Sequence, residues 1–288
     1  TFPDSIFYDV SAWTMNLAYG VETARLTEVD EGLAGPEITE QSFPEGEIHG
    51  GEADYAYLME WDSYYAPRAL YRAMEIGMFP RVATRPFTIA VDGEPRSFDR
   101  GTIVFPLSPR DVDSDVTPEK VHDLVETMAE EDHVQLHAVS TGLSPSGIDL
   151  GSPSAEPLDQ PRAALLAGDG TSSYQVGAAW HLMNERMGIP VSLLNLEDAE
   201  NADLSEYNTI VVPASYGHSA ELGREIQSWV EDGGLLITIE SASHWVVREE
   251  LVDEEIREAY DDTTEVNYAD LSRKRGAQEI GGSIFEAA

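Results

Sequence analysis

The feature that most constrains this chain is a regular alternation of short apolar runs with segments of helical period. Apolar runs such as Tyr55–Trp61 and Val134–Val139 flank amphipathic stretches such as residues 118–131, where Thr117 is a candidate N-cap and Pro118 suits the first turn. Strands that alternate with helices of this length are typical of parallel sheets with helices on both faces. The sequence therefore predicts an α/β fold.

The alternation occurs twice, and two features recur at one offset. Gly101–Ser108 aligns with Asn208–Ser215, and five of the eight aligned positions are identical. Asp62 and Asp169, each just after the strand that opens its half, share the same offset of 107 residues. This pattern indicates a tandem pair of related β-α-β-α units. The alternative is that apolar strands before a proline resemble one another by chance.

The predicted organisation has three parts. Residues 1–50 are an irregular segment packed on the first unit, residues 51–150 form the first α/β unit, and residues 160–288 form the second. The stretch at residues 141–161 is rich in Gly, Ser and Pro, which is typical of a linker. In the second unit, residues 247–260 are predicted to be a helix with one acidic, solvated face.

The charge of the chain excludes several kinds of partner. With 54 acidic and 17 basic side chains, the net charge is −37. Such a surface repels phosphate backbones and anionic lipid, and no apolar run approaches the length of a membrane span. We therefore expect neither nucleic acid nor a membrane as a partner.

The same charge has two interpretations. It can form an acidic face for a cationic partner or a metal, or it can adapt the whole surface to concentrated salt, which screens self-repulsion. The acids are spread along the chain, and only two of the basic residues are lysines, Lys120 and Lys274. This distribution favours salt adaptation.

Cysteine is absent from the chain. Disulfides, thiolate metal sites and cysteine nucleophiles are therefore excluded. The sequence starts at Thr1 and shows no signal-peptide pattern, so we expect it to be a piece of a longer protein or a processed form.

Two binding motifs are weak. His49-Gly-Gly-Glu52 matches a zinc-ligand spacing, but about one chance match is expected and no third ligand has an evident context. Gly168–Ser173 joins a strand to a helix N-terminus, where backbone N–H groups can hold an anion. Asp169 would repel phosphate, and Ser172 or Ser173 as an N-cap explains the stretch more simply.

A hydrolase reading depends on the segment Ile239–Trp245, in which Ser241 and Ser243 follow a strand. A nucleophile elbow places the nucleophile on a cramped strand-to-helix turn that needs small neighbours. Glu240 fails this requirement for Ser241, and His244 fails it for Ser243. The simpler interpretation is a turn with solvated hydroxyls.

Several stretches together resemble one family. They are Phe7–Trp13, Asp54–Leu58, Tyr64–Tyr71, Thr141–Leu143, Gly147–Ser152, Gln160–Arg162, Gly168–Gly170, Ser172–Tyr174 and Tyr207–Pro213. In combination they are similar to the region that follows the catalytic domain in large bacterial zinc carboxypeptidases of the carboxypeptidase A type. The ending at Ile280–Glu286 resembles a point where that family continues, so we expect the second unit to be truncated at its C-terminus.

The resemblance implies a secreted or periplasmic metallocarboxypeptidase as the parent protein, with its zinc site in an upstream domain. None of the family's zinc ligands, its substrate-clamping arginine or its general-base glutamate maps onto a position of this chain. The second half also resembles the class I glutamine amidotransferase-like fold, which is flavodoxin-like. The implied architecture is a tandem of three-layer units of this type with parallel sheets. Amidotransferase activity there needs a nucleophilic cysteine, which this chain lacks.

From these observations we expect a non-catalytic accessory region that docks on the upstream peptidase domain or helps to present peptide, with no catalytic, cofactor or metal residue of its own. One alternative is an independent hydrolase using Ser241 or Ser243 with His244 or His218. Another is a small-ligand-binding module that uses the crevice at the strand ends. The crevice candidates are Asp62, Asp169, Ser172, Ser241 and His244.

Overall fold

The computed structural model describes residues 43–108 and 115–256, together with residues 21, 24, 28, 31–33, 35–37, 39 and 267. The range Ser42–Ile256 forms one compact unit. The predicted segment at residues 1–50 and the predicted ends at 257–260 and 280–286 therefore lie largely or wholly outside the described residues.

The described residues form three sheets. The first has the spatial order β1 (Glu47–His49), β7 (Gln135–Val139), β2 (Ala56–Met59), β6 (Ile103–Pro106), β3 (Arg81–Ala83) and β9 (Ala155–Pro157). The second has the order β11 (Val191–Asn195), β10 (Ala163–Ala167), β12 (Thr209–Val212) and β13 (Leu235–Thr238). The small sheet has the order β5 (Glu94–Phe98), β4 (Phe87–Val91) and β8 (Ser146–Gly147).

Helices alternate with these strands along the chain. The α-helices in the described ranges are α1 (Ala66–Glu75), α2 (Pro118–Asp132), α3 (Ser173–Trp180), α4 (Ala220–Glu231) and α5 (Ser241–Arg248). A π-helical segment, His181–Arg186, continues α3, and 3-10 turns lie at Glu31–Leu33, Ala199–Asn201 and Leu204–Glu206. Thr117 caps α2, as predicted, because its side chain accepts a hydrogen bond from the Lys120 N–H. The α/β class is confirmed.

The first sheet is buried on both faces because different layers cover them. Tyr57 and Met59 of β2 face the core formed with α1 and α2. Ala56 and Leu58, which alternate with them, face a core shared with Phe98 and other residues of the small sheet. Helices, central sheet and small sheet therefore form three layers.

The second sheet is entirely parallel, as expected, whereas the first is mixed. In the first sheet only β1 and β7 pair in parallel, and β2, β3, β6 and β9 pair antiparallel. The reason lies between β3 and β6, where the hairpin β4–β5 replaces the helical crossover that a parallel pair needs. Its turn is Asp92-Gly93, both with positive φ. The expectation of a parallel first sheet was wrong, and the tandem relation stays a prediction.

Two local predictions were also wrong. Residues 141–161 are not a plain linker, because β8 pairs with β4 and β9 pairs with β3. The helix expected at 247–260 is instead α5, which ends at Arg248. Ala242, Trp245 and Val246 supply its buried stripe, and Glu250 then takes a positive φ that stops it, ahead of a run of acidic residues.

Candidate functional site

A crevice lies at the carboxyl ends of the strands of the second sheet. The chain leaves β10 towards β11 on one side, while β12 and β13 lie on the other side. The strand order therefore reverses between β10 and β12. In open parallel sheets ligands bind in the crevice that such a switch point creates.

Two loops meet at this switch point. The loop after β10 bonds to the loop after β12 through Tyr216 N–H to Gly170 O, 2.9 Å, and Ser172 N–H to Ala214 O, 2.8 Å. Gly170 has φ +89°, and a Cβ there would lie 2.8 Å from the Tyr216 carbonyl oxygen. Only glycine therefore allows the two loops to approach this closely.

The crevice between the loops has a volume of about 610 Å³. Its lining residues are Asp169, Gly170, Leu196, Glu197, Glu200, Tyr216, Gly217, His218, Ser219 and Leu222. Three of these are acidic, and neither lysine nor arginine is among them. Tyr216 is 77% exposed, so its ring is open to a ligand. The crevice is therefore negatively charged.

A strained elbow lies beside the crevice. Glu240, between β13 and α5, has φ 51° and ψ −117°, a conformation that side-chain-bearing residues rarely adopt. The turn is closed by hydrogen bonds from Ala242 N–H to Ile239 O, 3.2 Å, and from Ser243 N–H to Glu240 O, 2.9 Å. A sharp strand-to-helix turn at the carboxyl edge of a parallel sheet is the geometry of a nucleophile elbow.

A chain of hydrogen bonds connects the elbow to the crevice. Ser241 Oγ accepts from Ser215 N–H at 3.1 Å. Ser215 Oγ lies 2.9 Å from His218 Nε2 and donates to the Pro213 carbonyl at 2.7 Å. The His218 ring stacks on Trp245, with centroids 4.1 Å apart. Burial lowers the pKa of His218, and Arg248 lowers it further, so this imidazole is neutral at pH 7.

The structure brings together some of the predicted crevice residues. Asp169 lines the crevice, and Ser241 Oγ accepts a hydrogen bond from Ser215 N–H, one residue before the lining residue Tyr216. Ser172 is the N-cap residue of α3, but its side chain makes no capping hydrogen bond. His244 is exposed on α5. Asp62 is elsewhere, in a separate cavity of about 260 Å³ with Tyr64, Tyr65 and His133 among its lining residues.

Sequence reasoning missed Glu240 as a functional candidate. It placed the elbow at Ser241 or Ser243 because those side chains are nucleophiles, and it counted Glu240 only as an obstacle. The available signal was positional: the apolar run 235–239 ends at Ile239, so Glu240 is the first residue of the turn. Ala242, fully buried two residues later, is the small neighbour that an elbow requires.

In the structure, the histidine of the zinc-like motif His49-Gly-Gly-Glu52 contacts Gln135 and His137. His49 Nε2 lies 2.9 Å from Gln135 Oε1, and the His49 ring stacks on His137 at 4.7 Å. His137 is 1% exposed, and its Nε2 lies 3.9 Å from Glu60 Oε2. Across the part of the chain that the structure describes, no group of three or more His, Asp or Glu is arranged to hold a metal ion.

Comparison with protein families, with curated proteins and with solved structures found no match to this chain. None of the helices among the described residues has the length and apolar character that crossing a bilayer requires.

Proposed function

We propose that this chain is a non-catalytic accessory α/β region of a secreted, salt-adapted zinc metallocarboxypeptidase-like protein. The zinc centre belongs to an upstream domain, which is also the partner on which this region docks. The set of motifs from Phe7–Trp13 to Tyr207–Pro213 is the basis for this assignment.

The observation that carries the non-catalytic part of the proposal is the residue at the elbow. Under the proposed likeness to amidotransferase-like proteins, Glu240, with φ 51° at the elbow, takes the position at which those proteins need a cysteine nucleophile. The acyl transfer of those enzymes starts from a thiolate, and a carboxylate does not replace it in that reaction. The scaffold then serves for docking or binding.

The alternative hydrolase at residues 239–245 is less well supported by the contacts. Ser241 Oγ is hydrogen-bonded to the backbone of Ser215, and Ser243 Oγ to Thr238. Among the described residues neither hydroxyl is hydrogen-bonded to a histidine, whereas activation needs a base within hydrogen-bond reach. The serine that does contact His218 is Ser215, which is 8% exposed.

The second candidate function, small-ligand binding, is favoured by one specific observation. The crevice of about 610 Å³ lies at the topological switch point of the parallel sheet. This function is compatible with the accessory role, because a peptide presented to a peptidase domain is itself a ligand.

An activity assay tests the proposal. The purified chain, incubated at molar KCl with ester, amide and C-terminally unblocked peptide substrates, is expected to hydrolyse none of them above the rate of the buffer. Hydrolysis that persists through purification and disappears in Ser215→Ala or Ser241→Ala would overturn it.

The reading frame that encodes the chain is expected to contain an upstream His-x-x-Glu followed by a later His.

A further inference from the structure

We propose that the cavity at the start of α1 and the end of α2, beside the first sheet, binds a small ligand that carries a trimethylammonium group. The cavity has a volume of about 260 Å³. Its lining residues are Phe43, Pro44, Asp62, Ser63, Tyr64, Tyr65, Asp132, His133 and Gln135. This site is separate from the crevice of the second sheet, and it does not rest on the proposed function.

The first argument is the set of aromatic rings that lines the cavity. Phe43 stacks on His133 with ring centroids 5.3 Å apart, and Tyr65 lies at the same distance from Phe43. Tyr64 meets Tyr65 edge-on at 4.8 Å. Tyr64 is 53% exposed and Phe43 is 46% exposed, so both rings offer surface to a ligand. The face of an aromatic ring attracts cations, and cages of such rings recognise quaternary ammonium groups.

The second argument is a buried hydroxyl group in the same lining. Tyr65 is 9% exposed, and its hydroxyl forms no hydrogen bond among the described residues. A buried tyrosine hydroxyl usually has a hydrogen-bond partner. Arg68, with its guanidinium carbon 3.9 Å from the ring centroid, takes one face of the Tyr65 ring and leaves this hydroxyl without a partner. A hydroxyl beside the trimethylammonium group, as in choline, would supply that partner.

The third argument is the charge around the cavity. Asp132 is fully buried and forms ion pairs with Arg68 and Arg72. Arg72 also pairs with Glu131, so the charges of these four groups sum to zero. No ion pair of the described residues involves Asp62, which leaves its negative charge to a ligand. The positive end of α1 and the negative end of α2 both lie here and offset each other.

The contacts of the two carboxylates favour a methylated ammonium group over a primary one. Asp132 Oδ1 accepts a hydrogen bond from Arg68, and its Oδ2 lies 3.1 Å from Arg72 Nε. Asp62 Oδ1 accepts from the Ser63 hydroxyl at 3.4 Å. A primary ammonium group needs acceptors for three donors, whereas a trimethylammonium group needs only ring faces and a negative field. The volume lies below the usual range of about 300–1,000 Å³ for larger ligands, which suits a small cation.

NMR titration of the whole chain tests the proposal, with choline chloride replacing KCl so that the total salt concentration stays constant. We expect choline to shift the amide signals of residues 62–65 and 132–135. Two analogues isolate the chemistry: the uncharged tert-butyl analogue of choline, and ethanolamine, which has a primary ammonium group. Each is expected to bind about fivefold more weakly than choline, or worse.

The test variants alter one exposed ring. Tyr64→Leu removes the ring and keeps an apolar side chain, so we expect it to weaken choline binding by about fivefold or more. Tyr64→Phe keeps the ring, and its affinity is expected to stay within about twofold of the wild type. Tyr174→Leu is the matched control, because Tyr174 is 91% exposed on α3 and does not line the cavity. Its affinity should also stay at the wild-type value.

Asp62→Asn is the second variant, and it decides the question if Tyr64→Leu loses its native circular dichroism. We expect it to weaken choline binding by about threefold and to leave the tert-butyl analogue unaffected. Equal binding of the tert-butyl analogue or of ethanolamine overturns the proposal. So does unchanged choline affinity in Tyr64→Leu or Asp62→Asn, or the absence of shifts in residues 62–65 and 132–135 at molar choline. None of these outcomes bears on the accessory role, which the activity assay tests.

Discussion

Glu240 combines a strained backbone with an exposed carboxylate, and substitution separates the two properties. Glu240→Gly relieves the strain, while Glu240→Ala removes the carboxylate and keeps the positive φ. We expect Glu240→Gly to have a free energy of unfolding about 1 kcal/mol above that of Glu240→Ala, measured by urea denaturation. Within helix α4 the sign of this difference reverses, and Glu225→Gly is expected to be about 1 kcal/mol less stable than Glu225→Ala. Equal stability of the two Glu240 variants would show that the turn is not strained.

His137 makes the stability of the first sheet depend on pH. Burial, followed by the charges of Arg96 and His49, lowers the pKa of His137 from 6.5 to about 4. Between pH 4 and pH 6.5, His137 therefore carries a proton in the unfolded chain but is neutral in the folded chain. The free energy of unfolding is therefore at its full value above pH 6.5, and it decreases as the pH falls from 6.5 towards 4. This pKa shift of His137 corresponds to a change of roughly 3 kcal/mol in the free energy of unfolding.

We expect His137→Leu to flatten the pH dependence of unfolding across this interval, as measured by denaturant titrations at fixed salt. His244→Gln, which alters an exposed histidine, is the control and should follow the wild-type curve. If His137→Leu keeps the wild-type slope, other groups carry the pH dependence.

Between elements, a buried ion-pair cluster joins α1 to α2. Asp132 is fully buried and forms ion pairs with Arg68 and Arg72. Burial raises the pKa of Asp132, and the two arginines offset only part of that rise. Asp132→Ala is expected to lower the free energy of unfolding by about 3 kcal/mol, since it leaves the arginines without their buried partner.

Glu131→Gln provides the comparison, because Glu131 pairs with the same Arg72 at 2.6 Å but is mostly exposed. Its cost is expected to stay below about 1 kcal/mol. Thermal denaturation of both variants measures the difference. Similar losses in the two would mean that burial of Asp132 adds nothing to the pair.

Element by element, the sequence predicted what depends on local periodicity. Helix α2 and strands β2 and β7 lie where the apolar spacing of residues 118–131, 55–61 and 134–139 indicated. The antiparallel direction of the first sheet was missed because it depends on the Asp92-Gly93 hairpin, whose turn signal was not used. The helix was predicted at residues 247–260 instead of at α5 because the charged residues after Arg248 resemble the solvated face of a helix. The elbow at Glu240 was missed because backbone strain produces no periodic pattern in the sequence.

For the whole molecule, the net charge of −37 makes stability a function of salt. Unscreened carboxylates repel one another, so we expect the melting temperature to rise steadily from dilute to molar KCl. Differential scanning calorimetry measures this directly, with a protein of ordinary charge as the reference. A melting temperature that is indifferent to salt would contradict adaptation to concentrated salt and favour an acidic binding face.

We propose that this molecule binds its ligand at the carboxyl edge of the second sheet. Amide chemical-shift mapping by NMR, during titration with a C-terminally unblocked peptide, locates the bound ligand residue by residue. We expect shifts confined to three loops, residues 168–172, 214–219 and 239–243, with the rest of the chain unchanged. Shifts centred instead on the first sheet, around Tyr55 and Thr141, which line another cavity, would contradict it.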